Sequence, residues 1–338
     1  MKFGVFDHLD DAGIAQEQLF DNRLRLVEAY DRTGFYGYHV AEHHATPLGL
    51  AASPGIYLSA VAQHTKQLRF GPMVYLLPFY HPIRLIEEIC MLDRMSHGRF
   101  QLGVGRGVSQ LESAAYDVDF QKSGKQYHEG FQLLMKGLSD EVLNFDGEYY
   151  RFKDIPMILK PLQKPHPPLW YGLVFPDQAT WPAANDVNII TLGMSDGIRA
   201  VVDRYHAERA KHGKDRSTSP LVGVTRHVVV AKTDDEAMKI ARRAYVKWEN
   251  SFYWLWERHK ADPHIRHIYP GTFDELVKIG NGVAGSPETV RKYIAQETEK
   301  TDTNYFVSWL CFGDMAVEDA LTSTELFARE VMPTFAGK

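Results

Sequence analysis

The sequence predicts an α/β protein, a (β/α)8 TIM barrel with insertions, formed as one domain over residues 1–338. Three observations lead there. Strand-like and helix-like hydrophobic patterns take turns roughly eight times, which a closed parallel barrel accommodates better than an open sheet. A length of 338 residues is ordinary for a barrel carrying insertions. No linker, low-complexity stretch or short internal repeat marks a second domain.

The chain opens on KFGVFD, an alternating strand, followed by QEQLFDNRLRLVEAYDRTG, an amphipathic helix with Leu19, Leu26 and Tyr30 on one side and Gly34 at its end. YGYHVAE and LRFGPMVYLLP are the next strands. After Pro82, IRLIEEICMLDRMSHG repeats Ile86, Ile89 and Cys90 at helical spacing and stops at Gly98; RFQLGVG is then a strand. PPLWYG and DVNIIT are short apolar strands. SDGIRAVVDRYHAERAKHG is a helix with Ser195 expected as N-cap and Gly213 as its stop. PLVGVTRHVVVA is a strand, SPETVRKYIAQETEK a helix with Ser286 at the N-cap and Pro287 at its first position, and NYFVSWLCFG a strand. A final helix is expected to begin near Asp314. Two segments interrupt the repeat: a hairpin insertion near 141–155, with Asp146-Gly147 between alternating runs, and an aromatic-rich insertion near 250–282, expected as a helix and then a loop.

Composition narrows the function. Hydrophobic residues make up 44% and charged residues 24%, a globular balance, and no apolar run approaches the roughly 20 residues of a membrane helix. The N-terminus lacks the segments of a signal peptide, so a cytoplasmic protein is expected. Cys90 and Cys311 stand far apart with no metal-ligand spacing and are expected as core thiols. A net charge of -5 with mixed signs gives neither a basic stripe for nucleic acid nor a polybasic membrane patch. The expected partner is a small molecule or another subunit.

Barrel chemistry sits at the C-terminal ends of the strands. AEHH (Ala41 to His44), YLLPFYH and GVGRGVSQ close three neighbouring strands there. His39 to His43 matches the HxxEH pattern of some zinc peptidases, but on a strand the two histidines stand roughly 13 Å apart, too far for one metal. GVGRG fails the dinucleotide fingerprint because position 108 is Val108. The weaker inference is that Gly103, Gly105 and Gly107 let backbone approach a ligand while Arg106 offers forked donors to an anionic group such as phosphate; a surface or ion-paired arginine is the alternative. Most of the 15 histidines are expected to be surface or satisfied core residues. His43 and His44 differ, since Glu42 stands beside them at the end of a buried run, where an imidazole can be oriented.

With AEHHATPLGLAASP, PFYHPIRLIEEICMLDRMSHGRFQLGVGRG and LNFDGEYYRF in view, the chain resembles the bacterial luciferase-like flavin-dependent monooxygenases over nearly its whole length. The resemblance implies a barrel that binds reduced FMN at the C-terminal face, forms a flavin hydroperoxide with O2 as co-substrate, and transfers one oxygen atom to an organic substrate. It also implies an NAD(P)H-dependent flavin reductase as supplier and a homodimer. Carried over by position, His43 resembles the catalytic histidine and Arg106 the arginine that holds the FMN phosphate. Met73 and Val74 match the site of a non-prolyl cis peptide beneath the isoalloxazine, and Phe6 would lie near the same ring. Two departures stand out. Gly105 replaces the reactive cysteine of the light-emitting subunit, so nothing argues for light emission. WYGLVFPDQATW lacks the serine and hydroxyl that usually reach the phosphate, leaving Gln178 and backbone N–H groups at the following helix start.

The expected activity is therefore two-component flavin monooxygenation of a small apolar substrate, under an apolar cover of Tyr75, Leu77, Phe79 and Tyr80 that keeps water out. For the segment around Trp248, Phe252, Trp254 and Trp256, core packing or a dimer face is more economical than closure over substrate. The alternatives are a deazaflavin-dependent oxidoreductase on the same barrel, a noncatalytic luciferase-like subunit, against which His43 and Arg106 argue, and a zinc hydrolase.

Overall fold

The computed structural model describes residues 1–263 and 265–336. In chain order the elements are β1 (Lys2–Asp7), α1 (Gln16–Thr33), β2 (Gly37–Val40), α2 (Pro54–His64), β3 (Arg69–Pro72), β4 (Tyr75–Leu76), α3 (Pro82–Met95), β5 (Leu102–Gly105), α4 (Gln110–Ala115) and α5 (Ser123–Ser139). The chain continues through β6 (Val142–Asp146), β7 (Arg151–Pro156), β8 (Leu169–Leu173), α6 (Thr180–Ala184), β9 (Asn188–Thr191), α7 (Ser195–Lys211), β10 (Val222–Val230) and α8 (Asp234–Arg258). It ends with α9 (Phe273–Lys278), β11 (Gly282–Gly285), α10 (Pro287–Thr301), β12 (Tyr305–Trp309) and α11 (Val317–Leu326).

All pairings around the barrel are parallel, in the order β3-β2-β1-β12-β10-β9-β8-β5-β4. β3 and β4 are consecutive stretches of one chain run separated by Met73-Val74, and a bridge from Phe70 to Phe100 helps close the ring. The predicted barrel is thus present. β11 lies off the ring, paired with the second half of the nine-residue β10. The barrel interior is filled by large rings set against glycines: a Cβ on Gly4 would fall 1.9 Å from the Tyr305 hydroxyl, and one on Gly37 2.8 Å from it. Tyr305 in turn bonds His39 Nε2 at 2.9 Å, and Trp170 donates to Gln101 at 3.0 Å. These pairs satisfy the Tyr305 hydroxyl and the Trp170 N–H inside the barrel.

The helices follow their sequence signals with local differences. Gly34 and Gly98 take positive φ at helix ends, and Ser286 caps α10 by accepting from Thr289 N–H. Ser195 is the first helical residue rather than the N-cap, because its hydroxyl is drawn sideways to Glu297. The last helix starts at Val317, after Gly313 has turned its N–H onto Asp10 at 2.7 Å. β6 and β7 form the expected hairpin, antiparallel with a register shift between Leu143 and Phe145. It docks on α5, where Glu129 accepts the N–H groups of Glu148, Tyr149 and Tyr150. The aromatic segment is the second half of α8, whose 25 residues begin well before it, at Asp234. Among the described residues, no helix is long and apolar enough to cross a membrane.

Candidate active site

β1, β2, β3 and β5 bring their C-terminal ends to one mouth. β2 is buried along its length, and the chain leaves it through Glu42, His43 and His44. Glu42 is 3% exposed, and its Oε2 accepts from Leu76 N–H at 3.1 Å and the Tyr80 hydroxyl at 3.0 Å. Its Oε1 meets His44 Nε2 at 2.8 Å, while His44 Nδ1 lies 2.7 Å from the Tyr116 hydroxyl. Burial pushes the Glu42 carboxyl above the ordinary range, with His44, Leu76 N–H and Tyr80 opposing it.

Glu112 governs the other imidazole. It stands in the first turn of α4, where its own N–H bonds the Ser109 hydroxyl, and its Oε1 accepts from His44 N–H at 2.8 Å and lies 3.1 Å from His43 Nδ1. Burial alone would raise its carboxyl, but His43, by charge and hydrogen bond, and the His44 N–H outweigh burial and hold it below the ordinary range. An ionised carboxylate only accepts, so His43 carries its proton on Nδ1 when neutral. His43 alone of the EHH residues is part-exposed, with 23% of its side chain open. His39 belongs to the interior: its bond to Tyr305 and its burial, which lowers its pKa to about 3, keep it neutral.

The turn after β1 supplies a third imidazole. Asp7 accepts from Leu9 N–H at 2.8 Å and Tyr38 OH at 2.9 Å, and buried Arg23 lies 3.3 Å from Asp7 and 3.6 Å from Asp10. These bonds fix His8, whose ring centre is 5.5 Å from that of His43. Around it stand Phe6, Trp309 and Phe252, at 5.0, 5.8 and 6.4 Å between ring centres. Trp248 of α8 is fully buried and Phe252 is partly open, so this segment forms the wall of the mouth.

The remaining predicted residues divide. The Met73-Val74 peptide is cis. At Gly103 and Gly105 the close approach is made by the neighbouring strand rather than reserved for a ligand: added Cβ atoms would fall 2.2 Å from the Pro72 carbonyl oxygen and 2.4 Å from Val74 Cγ2. Arg106 is exposed and lies over the Phe120 ring at 4.6 Å; no carboxylate pairs with it among the described residues. Gln178 spends its side-chain oxygen on Val174 and Phe175 N–H, each at 3.0 Å, and its own N–H bonds Phe175 C=O. These three N–H groups are therefore engaged within the loop, while the Gln178 amide nitrogen stays available as a side-chain donor. Tyr75 is fully buried with its hydroxyl 2.7 Å from Glu88 on α3, behind the sheet, and Leu77 is buried in the core. Phe79 stacks on Tyr116 at 4.6 Å and meets His44 edge-on, so with Tyr80 it stands nearest the histidines.

Two site residues escape the sequence reading. Glu112 gives no signal, being remote from EHH in the chain. His8 had one: like EHH, it follows a buried strand directly.

The family model described as luciferase-like monooxygenase matches residues 1–303. The chain is 36% identical over 98% of its length to an uncharacterized protein, y4wF, of Sinorhizobium fredii, covering 96% of that protein. It is 26% identical to the oxygenase component of the flavin-dependent trigonelline monooxygenase of Acinetobacter baylyi, over 99% of this chain and 96% of that one. The oxygenating constituent of 3,6-diketocamphane monooxygenase from Pseudomonas putida, solved in complex with FMN, shares the fold with a TM-score of 0.81 at 21% identity, over 98% of each chain. This chain belongs to the luciferase-like monooxygenase family.

Proposed function

We propose that this barrel is the oxygenase component of a two-component flavin monooxygenase, acting on a small apolar organic substrate and fed with reduced FMN by a separate NAD(P)H-dependent reductase. The observation that carries the reading is the His43–Glu112 dyad, part-open at a mouth whose β5 end also carries Arg106, an exposed arginine with no carboxylate partner among the described residues. When bound, reduced FMN supplies the two electrons with which O2 gives one atom to the substrate and the other to water. Arg106, with the Gln178 amide nitrogen, would hold the phosphate as a charge-assisted contact. Met73, Val74 and Phe6 would border the space for the ring. His43 Nε2, with Nδ1–H committed to Glu112, is placed to take and return a proton there. Phe79 and Tyr80, backed by the buried Leu77 and Tyr75, keep that side of the mouth apolar and dry. A cytoplasmic homodimer is part of the same proposal.

The test supplies the chain with reduced FMN and 18O2 and screens small apolar compounds. A product carrying one labelled oxygen is expected, together with its loss in His43→Ala. Hydride transfer to an oxidised deazaflavin, or from a reduced one, without oxygen consumption would replace this reading with the deazaflavin one.

A further inference from the structure

The two imidazoles at the mouth are held in opposite tautomers. Glu112, an acceptor only, takes the Nδ1–H of His43, so the Nε2 of neutral His43 presents a lone pair. His8 is the reverse. Its Nδ1 faces two indole N–H groups, Trp248 Nε1 at 3.3 Å and Trp309 Nε1 at 3.2 Å. An indole N–H only donates, so His8 Nδ1 must accept and the ring proton must sit on Nε2. Burial, reinforced by His43, His227 and Arg23, keeps His8 far below the ordinary imidazole range, and so neutral.

Neither Nε2 has a partner among the described residues, and neither is sealed from solvent without one, in contrast to both ring nitrogens of His227. The ring centres are 5.5 Å apart. Two hydrogen bonds of about 2.9 Å meeting at one oxygen span about 5 Å between nitrogens, a separation these rings can present. Phe6 and Trp309 close the space with apolar faces, and Phe252 stands across it.

We propose that His43 and His8 form an acceptor–donor pair that grips a single hydroxyl group, so that the site takes a compact apolar or aromatic molecule carrying one alcoholic or phenolic O–H. The hydroxyl donates to His43 Nε2 and accepts from His8 Nε2–H. Trp248 and Trp309 act through His8 as positioning residues, because they fix its tautomer. The identity of the gripped molecule as a substrate or product of oxygenation rests on the proposed function; the tautomers and the grip do not.

The experiment is done on the flavin-free wild-type chain, labelled with 15N and observed through long-range 1H–15N couplings of the imidazoles near neutral pH. The expected pattern is Nε2–H with an accepting Nδ1 for His8, and Nδ1–H with an unprotonated Nε2 for the neutral form of His43. The same tautomer in both rings, or a His8 that protonates near neutral pH, overturns the pairing. Phenol, which donates and accepts, is then compared with anisole, which only accepts. Phenol is expected to shift both Nε2 signals and to bind more tightly than anisole; His8→Phe should weaken phenol by about fivefold to tenfold, the loss of one neutral hydrogen bond, and His8→Gln should restore part of it. Equal binding of the two probes, or no response of either ring to phenol up to its solubility limit, overturns the hydroxyl grip. Reduced-FMN binding is measured separately, so failure of the grip and failure of the flavin reading are told apart.

Discussion

Replacing Glu112 by Gln alters the dyad at its least exposed atom. The carboxylate accepts from two groups, His44 N–H at 2.8 Å and His43 Nδ1 at 3.1 Å, with 4% of its side chain exposed. Both bonds fall on Oε1, so the amide oxygen of Gln can accept them in its place, but the charge that strengthens them is lost. A hydrogen bond to a charged group contributes about 1.5–3 kcal/mol against about 0.5–1.5 kcal/mol for a neutral one, so the change costs about 1–2 kcal/mol. The His43 side is discounted toward the lower figure because 23% of that side chain is in water. Urea unfolding of the wild type, Glu112→Gln, His43→Asn and the double variant gives the total and the coupling, expected near 1 kcal/mol. The sign with pH is fixed as well. The folded carboxyl lies below its unfolded value, so its contribution is complete above the ordinary carboxylate range and is lost as the pH falls through the folded value. The Glu112→Gln penalty should therefore shrink in acid. A penalty under about 0.5 kcal/mol near neutral pH, or additive single variants, would refute the dyad as the structure describes it.

Other outcomes follow from particular contacts. Asp10 lies beside Arg23 and Asp7, and burial lifts its carboxyl from an ordinary 3.8 to about 7. The proton-bound folded form is favoured, so stability is greatest below the unfolded value and falls, by up to about 4 kcal/mol, as the pH rises toward 7 and beyond; Asp10→Asn should flatten that slope in thermal unfolding. Arg106→Ala should lower the affinity for reduced FMN by about 10- to 100-fold while leaving reduced riboflavin, which has no phosphate, little changed in anaerobic titrations. Gly105→Ala puts a methyl 2.4 Å from Val74 Cγ2 and should destabilise the chain by about 1–3 kcal/mol in urea unfolding, with relief in a Val74→Ala background. Burial raises the Cys311 thiol to about 12, so it should resist iodoacetamide in the folded chain and react on unfolding, as mass spectrometry would show.

The elements were legible where periodicity and punctuation agree. Leu19, Leu26 and Tyr30 face the core of α1, and Gly34 ends it, as their spacing requires. Local signals also placed Ser286 at the start of α10 and the hairpin on Asp146-Gly147. What failed was whatever depends on a partner remote in the chain. Ser195 lost its capping role to Glu297, 102 residues away, and Gly105 proved to face Val74 of the adjoining stretch. The site shows the same division. EHH and Arg106 could be proposed because strand ends carry barrel chemistry, whereas the Glu112 that orients His43 is 69 residues distant. The indoles that orient His8 are 240 and 301 residues from it, a separation no local pattern encodes.

The most direct measurement is an anaerobic titration of the purified chain with reduced FMN, followed by rapid mixing with oxygenated buffer while absorbance is recorded. The account predicts saturation at one flavin per chain, weakened by Arg106→Ala, and a reaction with O2 whose time course differs from that of free reduced FMN and changes in His43→Ala. An absence of binding, or bound flavin that meets O2 identically in the wild type and His43→Ala, would contradict it.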